Sequence, residues 1–224
     1  MSSKTRSSPN RQYQLKRILE RLYGRYNRRE LIAPDPLQFV YRYTRPEDME
    51  IVAFLASALA YGRVQQIEKS LTDLLDRLGT APAKFVANFD SRKRKKLASF
   101  KHRFNTGDDI SELFRLFKKV LKKHGSLENF FLNGYSCSHE NVLPALDKFC
   151  ESLLKMHAAE NKGQNSPGLR YLLARPSAGS ACKRLNLFLR WMVRDDDVDI
   201  GLWKSIDKKH LVVSAIKEGT VIDH

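Results

Sequence analysis

Apolar side chains recur at i, i+3, i+4 and i+7 through most of this chain, the spacing that places them on one face of an α-helix. The pattern predicts a first helix over residues 12–26 and further helices over 64–78, 110–121 and 142–156. Glycines at the ends of two of them, Gly79 and Gly125, are typical helix stops. Strand-like alternation is absent apart from a brief candidate at residues 211–213. The chain is therefore predicted to be all-α.

Residues 51–61 form the most apolar stretch, in which Ser57 is the only polar side chain apart from the hydroxyl of Tyr61. A helix that is apolar on all sides is buried, so this stretch is predicted to be the central helix of the core, ended at Gly62. Thr44 and Glu47, three residues apart ahead of it, suggest a capping box at its start.

Residues 166–194 predict two helices joined by a tight turn. Ser166 and Pro167 suit the cap and first position of a short helix, and Pro176 and Gly179 break it. A second helix follows, whose apolar stripe is Leu185, Phe188, Leu189, Met192 and Val193. We expect a helix-hairpin-helix unit within a single domain over residues 11–224, preceded by a disordered basic tail at residues 1–10.

Such a turn suits a phosphate group, because glycine lets a ligand approach the backbone and a helix N-terminus attracts anions. Gly179, Ser180 and Lys183 stand at this turn. Asn186, Arg190 and Arg194 follow at helical spacing on the side away from the apolar stripe. An ordinary helical hairpin with a solvated basic face would give the same pattern.

A second polar group separates the central helix from the next one. Arg63, Gln65 and Gln66 stand there, and arginine and amide side chains at a helix start can contact base edges or phosphates. They can equally cap helices and bridge loops.

Charge narrows the class of partner. The formal net charge is +15 over 224 residues and the isoelectric point is about 9.8, which favours a polyanion. Residues 91–104 alone hold seven Lys and Arg and no acid, interleaved with Leu97, Phe100 and Phe104. The next helix adds Lys118, Lys119, Lys122 and Lys123. We interpret the block over residues 92–123 as a phosphate-tracking surface, although a solvated face or a nuclear-localisation-like run would share its composition. Duplex DNA is the expected partner, and no apolar run is long enough to cross a membrane.

Other chemistry receives little support. The three cysteines are scattered, which fits a cytoplasmic protein without disulfides. Cys137 and His139 lack the second pair that a zinc site needs. The four aspartates within residues 195–199 could bind a divalent cation but are more typical of a solvated turn at a helix end. Because no nucleotide-binding loop is present either, we expect no metal and no cofactor. The oligomeric state is left open.

Lys183 is the one candidate nucleophile. A lysine beside a helix N-terminus, other cations and an apolar wall could lose its proton and attack a sugar carbon.

The order of segments resembles an uncharacterised, mostly bacterial family of small basic proteins. The resemblance runs from about residue 12 to residue 211. It is carried by four motifs, which read here Asp35-Pro36, Ala56-Ser57-Ala58-Leu59-Ala60-Tyr61-Gly62-Arg63-Val64, Phe100-Lys101-His102-Arg103-Phe104 and Gly179-Ser180-Ala181-Cys182-Lys183-Arg184-Leu185-Asn186.

That family is in turn distantly similar to the helix-hairpin-helix DNA glycosylases, the archaeal oxoguanine glycosylase type above all. The resemblance implies that the hairpin holds a DNA phosphate, with Arg184 among the contacts. It also implies that Lys183 occupies the position of the Schiff-base lysine, and that Arg63, Gln65 and Gln66 belong to the segment that enters the DNA. After residues 211–213 the family continues with a Pro-Leu-Asp-Thr-His type motif, whose aspartate assists the lysine in those enzymes, but Ile216 stands at its position here. The ending resembles a truncated or frameshifted family member, with natural divergence as the alternative.

Three hypotheses follow from these observations. The first is a base-excision glycosylase or lyase, at best a poor one without the aspartate. The second is a DNA-binding module without catalysis, and the third is a protein-interaction or scaffold role in which the charge serves only solubility or RNA contact.

Overall fold

The computed structural model describes residues 9–212 of the chain, and it is mostly helical. Ten α-helices follow one another in these residues: α1 Pro9–Tyr26, α2 Pro46–Ala58, α3 Val64–Leu78, α4 Pro82–Ala87, α5 Ser91–Leu97, α6 Gly107–His124, α7 Leu127–Leu132, α8 Leu143–Glu160, α9 Pro167–Leu172 and α10 Lys183–Val193. Short 3-10 helices occupy Arg29–Leu31, Pro36–Arg42, Pro176–Ala178 and Lys208–His210. The prediction of a mainly helical fold is confirmed.

One strand pair was missed by the sequence pattern. Lys101–His102 (β1) pairs antiparallel with Asn105–Thr106 (β2) between α5 and α6. Strands of two residues are too short to show alternation of apolar and polar positions, so no pattern could announce them.

The central helix covers most of the predicted stretch, but it begins earlier, at Pro46, and ends at Ala58 rather than at Gly62. Every residue of α2 from Ile51 to Ala58 is buried, and the helix packs against α10 and the 3-10 helix Pro36–Arg42. The ring of Phe54 lies 4.8 Å from that of Phe117 on α6 and 5.2 Å from that of Phe188 on α10. The uniform apolar stretch is thus the shared centre of the core, since it has a partner on each side.

The predicted capping box ahead of this helix is wrong. The residue that caps α2 is Arg45, whose side chain makes no capping hydrogen bond. Pro46 already fixes the first helical position, which leaves Thr44 outside the helix. The capping box lies instead at the start of α6, where Thr106 and Asp109 bond reciprocally.

A buried carboxylate joins the core to the loop after α10. Glu50 on α2 accepts hydrogen bonds from the N–H groups of Leu127 and Glu128, at 2.9 and 3.0 Å, and from Trp203 Nε1 at 2.8 Å. Burial raises the pKa of Glu50 in spite of these donors. The carboxylate satisfies two otherwise free N–H groups at the start of α7.

Helix α1 forms where the apolar spacing predicts a helix, but its apolar face is not buried. It begins at Pro9, earlier than the predicted start, and its stripe of Leu15, Ile18, Leu19 and Leu22 is exposed, with Leu15 at 54%. Tyr23 Oη donates to Asp196 at 3.1 Å. The prediction of a disordered tail falls mainly on residues 1–8, which lie outside the described part of the chain.

Candidate nucleic-acid interface

The connection between α9 and α10 contains the predicted cap and helix-breaking residues, but it spans residues 173–182 and includes a 3-10 helix, so it is longer than the predicted tight turn. Ser166 Oγ accepts from the N–H of Leu169 at 3.1 Å, which caps α9, and Pro167 takes the first helical position. After α9 the chain passes through the 3-10 helix Pro176–Ala178 and reaches Gly179 in the left-handed region, at φ 80°. A Cβ added to Gly179 would meet no atom within 4 Å, so one face of this peptide is open.

The turn is fixed to the body of the protein by an acid on α8. Asp147 Oδ2 accepts from Arg175 Nη2 at 2.7 Å, and its Oδ1 accepts from the N–H of Ser177 at 2.9 Å. The hydrogen bond from Arg175 lowers the pKa of Asp147 to about 2. The charged pair therefore holds the start of the turn in one geometry.

Helix α10 begins without a side-chain cap. Its N-cap residue is Cys182, a left-handed non-glycine residue at φ 48°. The N–H of Cys182 donates to Ser180 Oγ at 3.1 Å. The next three N–H groups, those of residues 183–185, have no acceptor among the described residues. Free N–H groups at the positive end of a helix dipole are the usual donors to a bound anion.

Lys183, Asn186, Arg190 and Arg194 share one face of α10, as their spacing predicts. With Leu187, Leu211 and Val212 they line a cavity of about 290 Å³. Lys183 is exposed and has no acidic partner among residues 9–212. Its ammonium group is therefore available to an external anion.

Asn186 is the buried residue of this group, and one of its side-chain atoms lacks a hydrogen-bond partner in the described part of the chain. The side chain is 7% exposed, and its Nδ2 donates to the carbonyl of Ala181 at 3.2 Å. Its Oδ1 has no hydrogen-bond partner in the described part of the chain. A buried acceptor without a donor costs about 1–3 kcal/mol, so this atom marks a place where a ligand donor would fit.

Arg190 and Arg194 are less free than the sequence implies. Their Nε atoms lie 3.0 and 3.2 Å from Asp199 Oδ2, whose side chain is fully buried. Burial raises the pKa of Asp199, although both arginines oppose that shift. One of the four aspartates after α10 thus neutralises two arginines of the basic face. The sequence predicted only a solvated turn over residues 195–199.

Arg184, predicted as a DNA contact, is held inside the protein. Its Nη1 donates to the carbonyl of Ala58 at 2.6 Å and its Nη2 to that of Tyr171 at 2.7 Å. The guanidinium lies 3.9 Å from the ring centre of Tyr171, and desolvation lowers its pKa. Arg184 therefore joins the ends of α2 and α9 to α10.

The second predicted group lies at the start of α3. Arg63 is the N-cap of this helix, and it is exposed together with Gln65 and Gln66. Gln66 Nε2 donates to Ser70 Oγ at 3.0 Å, while Gln65 projects from the first turn. This group follows directly on Tyr61, whose ring lies 4.9 Å from the Arg184 guanidinium.

An aromatic cluster that was not predicted from the sequence lies beside Arg184, directly before the start of α3. The rings of Tyr61, Phe104 and Tyr171 contact one another, with centres 4.4 to 5.2 Å apart. Leu97 and Phe100, the other apolar members of the basic run, are buried in the core. The one sequence feature that pointed to this cluster was the basic run over residues 91–104. Its sequence does not distinguish the exposed ring of Phe104 from the buried ring of Phe100.

The described residues contain neither a candidate metal site nor a candidate membrane-spanning helix. No group of three or more His, Cys, Asp or Glu among residues 9–212 is placed to hold a metal ion. In the same range no helix is long and apolar enough to cross a bilayer.

Comparison with known proteins gives a family and nothing further. Residues 35–215 match the family described as "Protein of unknown function (DUF2400)". No curated protein and no solved structure matches the chain.

Proposed function

This chain belongs to the DUF2400 family of proteins of unknown function, and from that premise we propose that it binds DNA in the manner of a helix-hairpin-helix protein. The observation that carries the proposal is the start of α10, where free N–H groups follow the open face of Gly179. A DNA phosphate there would receive backbone donors, and Lys183 stands in the same turn to add its charge.

The distribution of charge supports the same partner. The net charge is +15, and Arg184 in the first turn of α10 bonds the carbonyl of Ala58, five residues before the exposed Arg63 at the start of α3. A surface of this kind neutralises backbone phosphates while amide side chains reach base edges. The fold of the helix-hairpin-helix glycosylases, implied by resemblance, is part of this proposal.

Base excision is a second candidate, favoured by the cavity beside Lys183. A base turned out of the helix could enter it and donate a hydrogen bond to the unmatched Oδ1 of Asn186. Once Lys183 has lost a proton, its amine would form a C–N bond to the sugar carbon that carries the base, while the glycosidic bond breaks and the base leaves with that bond's electron pair and takes up a proton. Catalysis is proposed to be weak, because Ile216 replaces the expected aspartate; that position lies outside the described residues.

Salt-dependent binding to a short duplex tests the main proposal. If the surface neutralises about four phosphates, the logarithm of the affinity falls against the logarithm of the salt concentration with a slope of roughly −3.6. Fluorescence anisotropy of a labelled duplex at several salt concentrations measures this slope. An absence of binding at low salt, or affinity that ignores salt, would refute DNA binding.

A further inference from the structure

The side chain of Phe104 stands at the tip of the β1–β2 hairpin and is 52% exposed. The residue before it, Arg103, has φ 54°, a conformation that a non-glycine residue adopts at some cost. The hairpin thus presents an aromatic ring to solvent directly after a strained backbone position.

The hairpin is rigid because its buried residues are tied to two neighbours. Tyr61 Oη lies 2.7 Å from Asn105 Oδ1, and Asn105 Nδ2 donates to the carbonyl of Gly168 at 3.1 Å. His102 is fully buried with its Nε2 3.1 Å from the carbonyl of Tyr61, and burial lowers its pKa. The imidazole is therefore neutral at pH 7, so the hairpin carries no buried charge.

The exposed ring rests on two others. The ring centre of Phe104 is 4.4 Å from that of Tyr171, at an interplanar angle of 81°, and 5.2 Å from that of Tyr61. A ring supported in this way loses little freedom on binding, since its orientation is already set.

The surroundings of the ring are cationic. Lys101, Arg103 and Arg63 are exposed, and the Arg103 guanidinium lies so close to Gly62 that a Cβ there would be 2.9 Å from its Nη1. The sequence contains no acid from residue 51 to 67, from residue 91 to 107 or from residue 161 to 194, the three segments that supply the rings of this surface. Its occupant must therefore offer a flat apolar face together with negative charge.

We propose that Phe104 stacks on a nucleic-acid base that has no partner in a continuous duplex, while Arg103 and Lys101 hold the adjoining phosphates. An unpaired base with its phosphate combines the required flat face and charge, whereas a base inside an intact duplex exposes only its edges. The inference rests on the proposed DNA binding and adds its substrate class: duplexes interrupted by an unpaired base are bound in preference to perfect ones.

The test compares two duplexes of equal length and sequence, of which one carries a single bulged base. The wild-type protein is expected to bind the bulged duplex about tenfold more tightly, because stacking on one aromatic ring contributes on that order. Phe104→Ala should remove the preference and leave the affinity for the perfect duplex unchanged, and Phe104→Trp should retain it. Leu31→Ala, which shortens another exposed apolar side chain outside this surface, should behave as wild type.

The binding results separate failure of the stacking role from failure of DNA binding itself. Equal affinity of the wild-type protein for both duplexes would overturn the stacking role, as would a preference that survives in a folded Phe104→Ala protein. Circular dichroism and the melting temperature establish that this variant is folded. Failure of the wild-type protein to bind either duplex would instead refute the proposed DNA binding itself.

Discussion

Asp147 on α8 and Arg175 ahead of the turn form a charged hydrogen bond of 2.7 Å that fixes the connection between α9 and α10. The same carboxylate also accepts from the N–H of Ser177, so it holds the backbone of the turn directly. The geometry around Gly179 therefore depends on a residue that lies 32 positions before it in the sequence.

The first prediction concerns this pair and pH. The folded-state pKa of Asp147 is about 2, below its ordinary value of 3.8, so the folded protein favours the ionised form. The resulting stability is present above about pH 3.8 and is lost as pH falls through about 2. Asp147→Asn should therefore lower the free energy of unfolding at pH 7 by about 1–2 kcal/mol, and this deficit should shrink in acid. Urea titrations at pH 7 and pH 3 measure it.

DNA affinity gives the same variant a second readout. Asp147→Asn removes a negative charge, which alone would favour DNA, yet the loosened turn should lower the affinity. Asp73→Asn makes the same charge change at another arginine pair, Asp73–Arg77, on α3. We expect Asp73→Asn to bind DNA at least as well as wild type. Equal behaviour of the two variants would mean that Asp147 does not shape the binding surface.

The second prediction concerns Lys183. If its ammonium group contacts one phosphate, Lys183→Gln should reduce the steepness of the salt dependence by about 0.9. Lys84, exposed on α4, gives the matched control, and Lys84→Gln should leave the slope unchanged. Anisotropy titrations over a range of salt concentrations give both slopes. An unaltered slope in Lys183→Gln would place Lys183 outside the contact surface.

The third prediction concerns catalysis. Without the downstream aspartate, the chain should excise bases and form borohydride-trapped adducts several orders of magnitude more slowly than a variant whose ending is replaced by Pro-Leu-Asp-Thr-His from the family motif. A lysine amine must lose its proton to attack, and Ile216 can neither accept that proton nor stabilise positive charge on the sugar. A panel of damaged duplexes provides the assay, with Lys183→Gln as the blank. Rapid excision by the unchanged chain would show that the site is assigned wrongly.

The sequence predicted the parts of this fold that local patterns govern. Ser166 caps α9 as expected, and Gly79 ends α3 with φ 75°. Each of these features depends on residues within one helical turn of each other, so the sequence contains the whole interaction.

Relationships between distant residues were not predictable in this way. Arg184 lies 126 positions from Ala58, whose carbonyl accepts its hydrogen bond, and nothing in either local sequence indicates the pair. The stripe on α1 shows the converse, since an amphipathic pattern predicts burial but cannot name the partner surface, and Leu15 is exposed. The pattern likewise did not predict that Phe100 is buried and Phe104 exposed, because it shows only that both residues are apolar.

The central claim is that the turn at Gly179 receives a DNA phosphate, and a pair of glycine substitutions tests it most directly. Gly179 and Gly163 have nearly the same backbone angle, φ 80° and 79°, and in both cases an added Cβ meets no atom within 4 Å. Valine at either position therefore imposes similar backbone strain without a clash inside the protein.

Gly163 lies in the loop after α8, outside the turn that is proposed to receive the phosphate. A valine side chain would therefore obstruct a bound phosphate at position 179 but not at position 163. We predict that Gly179→Val weakens duplex binding by tenfold or more, on the order of one lost charge-assisted contact, while Gly163→Val binds as wild type at equal helical content. Duplex affinity of the folded Gly179→Val protein equal to that of Gly163→Val would contradict the account.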